Sequence, residues 1–265
     1  SKYSRTNVLT FRLFVMSSAA PESRIVGGDH VTIEQFPYAV AFTYHYPIPG
    51  ITVQLTSSFK LNITSRLYSP KGWIRAGSTN SLAGGILVNI RDVAKHPDYV
   101  EAPRANDVAV TFLMDALGIS NTVNVLFLPP ANTYIPDGQA VKVVSWGFES
   151  ETGAQMETLK TIYLNKISVE QCQAAFGDNE NVAIIDSVIC ATAANKGMCL
   201  GDSGAPMVIN NVVVGCSSYF KGCLDDEYPD VFSRVDRHTN WILEAAAAGP
   251  AGRSGAQIRV APVSL

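Results

Sequence analysis

The chain has 265 residues, 47% hydrophobic and 16% charged, a balance that can bury a core and excludes an intrinsically disordered chain. Its net charge of −3 and isoelectric point near 5.8 give no electrostatic basis for binding nucleic acid or an anionic membrane surface. No uninterrupted apolar run reaches about 18 residues, so no membrane-spanning helix is expected.

In chain order, residues 1–24 read as a leader with a propeptide. Asn7 to Ala20 is an apolar stretch that ends in small residues and is interrupted by Arg12, the outline of a damaged secretory leader. Short β-rich runs follow, including Tyr38–Phe42, Ile86–Ile90, Val108–Phe112, Val141–Val144, Met207–Ile209 and Val212–Val214, with Gly, Pro, Asn and Asp at the breaks. Many short strands at this spacing predict an all-β sandwich or barrel. Only Arg237 to Ala248 reads as a helix, stopped by Gly249-Pro250. Residues 249–265 read as a loose tail. A boundary near Pro129-Pro130 separates two strand-rich halves, and no internal repeat is visible.

Five cysteines, Cys172, Cys190, Cys199, Cys216 and Cys223, have no zinc-like spacing. Clustered cysteines without metal spacing predict disulfides, one thiol left over, and a secreted, extracellular protein. The glycosylation sequon Asn62-Ile63-Thr64 fits the same compartment weakly. No metal or cofactor is expected.

The strongest chemical motif is CLGDSGAP (199–206). A serine nucleophile needs a sharp turn that presents its hydroxyl beside backbone N–H donors, and Gly201 and Gly204 around Ser203 permit that turn. A second signal is Arg24-Ile25-Val26-Gly27-Gly28, a basic cleavage site ahead of an apolar pair. Cleavage by an activating protease would free the Ile25 ammonium, which needs a carboxylate when buried, and Asp202 beside Ser203 is the candidate.

With these motifs the chain resembles the chymotrypsin/trypsin-like (S1) family of serine proteases. The resemblance runs from about Arg24 to Ala246. It is carried in order by RIVGG (24–28), FPYAVAF (36–42), IRAGSTN (74–80), HPDY (96–99), NDVAV (106–110), VSWG (144–147), CLGDSGAP, YPDVFSRV (228–235) and NWI (240–242). It implies two perpendicular six-stranded Greek-key β-barrels with a C-terminal helix. The barrels would occupy about 25–130 and, with the helix, about 131–248, with a peptide-binding cleft between them. It further implies Ser203 as nucleophile, Asp107 as the triad aspartate, an oxyanion hole from the N–H groups of Gly201 and Ser203, and disulfides Cys172–Cys190 and Cys199–Cys223. Cys216 matches an apolar strand position and is expected as a buried thiol. The chain is read as a monomer.

The pattern breaks at the third member of the triad. The family places its histidine in a segment resembling LTAAHC, and the best local match here is LTSSFK (55–60), with Phe59 in the histidine's place and Lys60 in its cysteine neighbour's. No histidine lies between His45 and His96, and neither these nor His30 and His238 match the triad position. Both ends of a third family disulfide are missing as well. Without a base a serine is a poor nucleophile, and loss of the histidine in comparable chemistry costs on the order of a million-fold in turnover. The reading is a secreted S1-family homologue without catalysis, binding a protein or peptide in its cleft. The alternative is an active endopeptidase of chymotrypsin-like or broad specificity whose segment 43–73 is misread from the gene or alternatively spliced.

For the specificity pocket, the resemblance places Gly197 at the base, Asp230 on the wall, and Ser218, Tyr219 and Phe220 along the side. A glycine base with an aspartate wall resembles crab collagenolytic proteases, which accept basic and apolar side chains. Phe220 stands where the family has a glycine and is expected either to narrow the entrance or to swing out to solvent.

Overall fold

A computed structural model of the protein describes residues 27–48, 51–56, 72–153, 156–223, 225, 227–249 and 259–262. Arg24, Ile25, Phe59, Lys60 and the leader lie outside the described residues. The first strands are β1 (Asp29–His30), β2 (Val40–Ile48), β3 (Ile51–Thr56), β4 (Gly72–Ala76), β5 (Ile86–Lys95), β6 (Val100–Glu101), β7 (Arg104–Ala105) and β8 (Ala109–Leu113). There follow β9 (Ala140–Ser145), β10 (Lys160–Ile167), α1 (Val169–Phe176), β11 (Val188–Thr192), β12 (Pro206–Ile209), β13 (Val212–Tyr219), β14 (Asp230–Arg234) and α2 (Val235–Ala248).

The fold class matches the expectation. In the second half, β10-β11-β14-β13-β12-β9 run in that order and β9 also pairs with β10, which closes a six-stranded antiparallel barrel. In the first half, β3-β2-β4-β5-β8 form a five-stranded half-barrel sheet among the described residues. Sheet membership changes between Leu113 and Ala140, a span that contains Pro129-Pro130. The exception is β1, which crosses to pair with β10.

Local sequence accounts for these elements. β13 is buried along nearly its whole length because it has strands on both edges, β12 and β14, and its Val212–Val214 run suits a strand covered on both faces. Val141, Val143, Ile162, Leu164, Met207, Val214 and Phe232 fill the barrel interior. A second cluster joins the two halves: Val108 just before β8, and Val110 and Phe112 on β8, meet Val213 and Cys216 of β13 and Val235 and Ile242 of α2. The helix thereby clamps the start of β8, which follows Asp107, to the end of β13, which carries Ser218.

Two expectations are corrected. A second helix, α1, exists: Ser168 accepts from Gln171 N–H (3.0 Å) and Gln171 Oε1 accepts from Ser168 N–H (3.1 Å), a complete capping box. Eight residues are too few for a hydrophobic period to stand out, but the Ser168-x-x-Gln171 pattern is visible in the sequence. The tail is also not loose throughout. Arg259 O accepts from Leu128 N–H (2.9 Å), Ala261 N–H donates to Leu128 O (2.8 Å), and the small Ala261 side chain is buried in the barrel core.

Candidate active site

Ser203 is half-buried on a turn between two glycines held at positive φ, Gly201 (94°) and Gly204 (80°). These conformations are easy only for glycine. The turn is fastened from both ends. Asp202 N–H donates to Cys199 O (3.3 Å), Ala205 N–H to Asp202 O (2.8 Å), and Gly204 N–H to Ser217 O (2.9 Å). Cys199 is further tied to Cys223 by a disulfide, and Cys172 to Cys190, the two pairings expected. Cys216 is a buried free thiol, its ionisation pushed up by burial and by the nearby Asp107.

Asp202 is fully buried. Its Oδ1 accepts from Gly147 N–H (3.1 Å) and its Oδ2 from Cys199 N–H (2.9 Å). Burial holds its carboxyl well above the usual range, the Ser145 side chain and Gly147 N–H oppose that shift, and the Asp230 charge adds to it. The expected pairing with Ile25 falls outside the described residues.

Asp107 is buried at 2% exposure, just before β8. Its Oδ2 accepts from Ser218 Oγ at 2.8 Å, and its backbone carbonyl accepts from Ser233 Oγ at 2.8 Å. Ser218, expected along the pocket, is thus directed at Asp107 by its hydroxyl. Its neighbour Ser217 grips the Ser203 turn, accepting from Gly204 and donating its N–H to Ala205 O (3.0 Å). Two consecutive residues of β13 therefore tie the serine turn and the buried aspartate to one strand end.

The pocket residues also meet. Met198 N–H donates to Asp230 Oδ2 (2.9 Å), and the Asp230 carboxylate stands 3.4 Å from where a Cβ on Gly197 would lie. Glycine at 197 therefore leaves room in front of the carboxylate. Burial pushes Asp230 up to about 7 against the Met198 hydrogen bond. Tyr219 packs edge-on to Phe176 (5.8 Å between centroids), which in turn meets Tyr228. Phe220 is half-buried against the barrel core, so it does not swing fully into solvent.

Sequence reasoning does not find Arg104. Its Nη1 donates to Ser218 O (2.7 Å) and its Nε lies 3.8 Å from Asp107 Oδ2. The i,i+3 spacing to Asp107 is the one local signal that points to it. The histidines are placed elsewhere. His96 and His238 stack edge-on at 5.1 Å, with Trp241 4.7 Å from His96. His30 is exposed on β1, and His45 lies on β2 opposite Gln54. Among the described residues, no three His, Cys, Asp or Glu side chains gather as a metal site, and no helix is long and apolar enough to cross a membrane.

The family model described as Trypsin matches residues 64–242. The chain is 28% identical over 247 residues to the vitellin-degrading protease of Bombyx mori, covering 89% of this chain and 93% of that protein. It is 30% identical to trypsin delta of Drosophila erecta (85% and 89% covered) and 31% identical to trypsin CFT-1 of Choristoneura fumiferana (85% and 93% covered). A buried aspartate tied to a glycine-flanked serine turn, the second barrel and these likenesses agree: the chain belongs to the chymotrypsin/trypsin-like (S1) family of serine endopeptidases.

Proposed function

We propose that this family member is a secreted pseudoprotease, which binds a peptide or protein in its cleft without cleaving it. One observation carries the reading: no histidine occurs between His45 and His96, where the family's base belongs, and in this reading the LTSSFK register puts Phe59 in its place. Phenylalanine has no atom that can take the Ser203 proton, so the hydroxyl stays a weak nucleophile. Ser203, Asp107, the turn at Gly201 and the pocket of Gly197 and Asp230 are otherwise kept, which supports a binding role for the cleft. The two disulfides support an oxidising, extracellular location. In this reading Arg24–Ile25 is the cleavage site, residues 25–248 are the functional unit, and the chain works as a monomer.

The second reading is an active endopeptidase with another segment 43–73. It is favoured by the intact pocket, where an ionisable carboxylate faces the space left by Gly197. Two measurements separate them. A fluorophosphonate probe applied to the purified chain, cut at Arg24–Ile25, is expected to leave Ser203 unlabelled. Stoichiometric labelling would overturn the pseudoprotease. A transcript carrying a histidine in this segment would establish the second reading.

A further inference from the structure

Phe127 and Leu128 use opposite edges of one segment of chain. Phe127 faces the start of β13: its N–H donates to Asn211 O (2.9 Å), and its carbonyl accepts from Val213 N–H (3.0 Å). Leu128 turns both of its main-chain groups to the tail instead. Its N–H donates to Arg259 O (2.9 Å), and its carbonyl accepts from Ala261 N–H (2.8 Å). With Val260 opposite Leu128, this is the pattern of a parallel strand added to an edge.

The tail is held there by little. Arg259, Val260 and Pro262 are exposed, and only Ala261 is buried, where it joins the barrel core. Pro262 has no N–H with which to extend the pairing. Exposed main-chain hydrogen bonds with few buried apolar contacts mark segments that open locally. Once the tail opens, Leu128 presents a bare N–H and a bare carbonyl on one edge. Such an edge takes up an extended peptide by main-chain hydrogen bonds, and the side-chain pocket beside it selects the sequence. The space here is that of an alanine methyl. A larger side chain overfills a closed core, and a charged one would be buried without a partner. The ligand chemistry follows: an extended segment with a small apolar residue whose N–H reaches Leu128 O, flanked by residues that stay in solvent.

We propose that the Leu128 edge is a second peptide-binding site, in which the tail holds the place of an extended segment from a partner protein. The inference goes beyond the pseudoprotease reading and makes no use of the missing base.

The test is binding of a fluorescein-labelled peptide of residues Gln257–Leu265 to the full chain by fluorescence anisotropy. A tethered tail competes at an effective concentration of about a millimolar. Ala261→Asp, which expels the tail, is therefore expected to bind the peptide about tenfold more tightly than the unaltered chain does. Ala261→Pro removes the N–H donor without adding charge and must show the same gain. A peptide carrying either substitution must bind neither variant. Equal affinity for the unaltered chain and the two variants overturns the proposal. Hydrogen exchange in the unaltered chain is a second test, independent of how the variants fold. The Leu128 amide is expected to exchange at least tenfold faster than the Phe127 amide, which stays on β13, and equal protection overturns the displaceable tail. No readout involves Ser203, so labelling of that serine bears on the pseudoprotease reading alone.

Discussion

Gly147 donates its backbone N–H to Asp202 Oδ1 at 3.1 Å, and the same carboxylate fills the space where a Cβ on residue 147 would stand. The glycine of Val144-Ser145-Trp146-Gly147 is therefore required by a side chain far along the chain, not by its own backbone. Gly147→Ala must push the buried carboxylate off its hydrogen bonds or move the strand end. The expected cost is about 3 kcal/mol in urea unfolding, the range for overpacking a closed site. An unchanged midpoint would show that Asp202 can leave this place freely.

Asp230 makes the pocket sensitive to pH. Burial raises its carboxyl to about 7, so the proton is held more tightly in the folded state than in the unfolded one. The stability this provides is fully present below the ordinary aspartate value of about 4 and is lost as pH rises through 7. A cation in the pocket requires the ionised form. Benzamidine binding is therefore expected to strengthen as pH rises to 7 and to level off above it, and Asp230→Asn is expected to abolish both. Calorimetric titration between pH 5 and 8 checks this, and a flat profile in the unaltered protein would refute it.

His238 responds in the opposite direction. Burial, and to a lesser degree His96, lower its pKa to about 4, so the folded state holds it neutral. Its contribution is present above the unfolded value of about 6.5 and disappears as pH falls through 4, a loss of up to about 3 kcal/mol. His238→Gln is expected to flatten the stability curve between pH 6.5 and 4, read by chemical unfolding at each pH.

The Cys199–Cys223 disulfide spans 24 residues, and Cys199 N–H also donates to Asp202 Oδ2. Replacing both cysteines by serine is expected to cost about 3 kcal/mol by the chain-entropy estimate. Amide hydrogen exchange at Gly201 to Gly204 is expected to speed up by more than in the Cys172–Cys190 variant, because only the former bridge anchors the serine turn. Equal acceleration in the two variants would argue against that anchoring.

Much of the molecule is legible in its residues. The valine-rich runs at 141–144 and 212–214 form strands β9 and β13, since β-branched residues suit a covered sheet surface. The glycine-flanked serine and the final helix are legible in the same way, and both cysteine pairings and Asp107 through resemblance. The helix α1 escapes a periodicity reading because eight residues are too short for the signal, although its capping box is visible. The docking of Ala261 escapes it because a small residue in a polar tail carries no pattern of its own.

Family membership and the glycine-flanked serine turn reside in residue identity and local spacing, so the sequence alone establishes them. The service of Ser218 to Asp107, rather than to the pocket alone, and the contact of Arg104 with Ser218 depend on tertiary packing. Those pairs lie 111 and 114 positions apart, and no local pattern connects them. They meet because α2 packs Ile242 between the first sheet and β13, bringing the start of β8 to the end of β13.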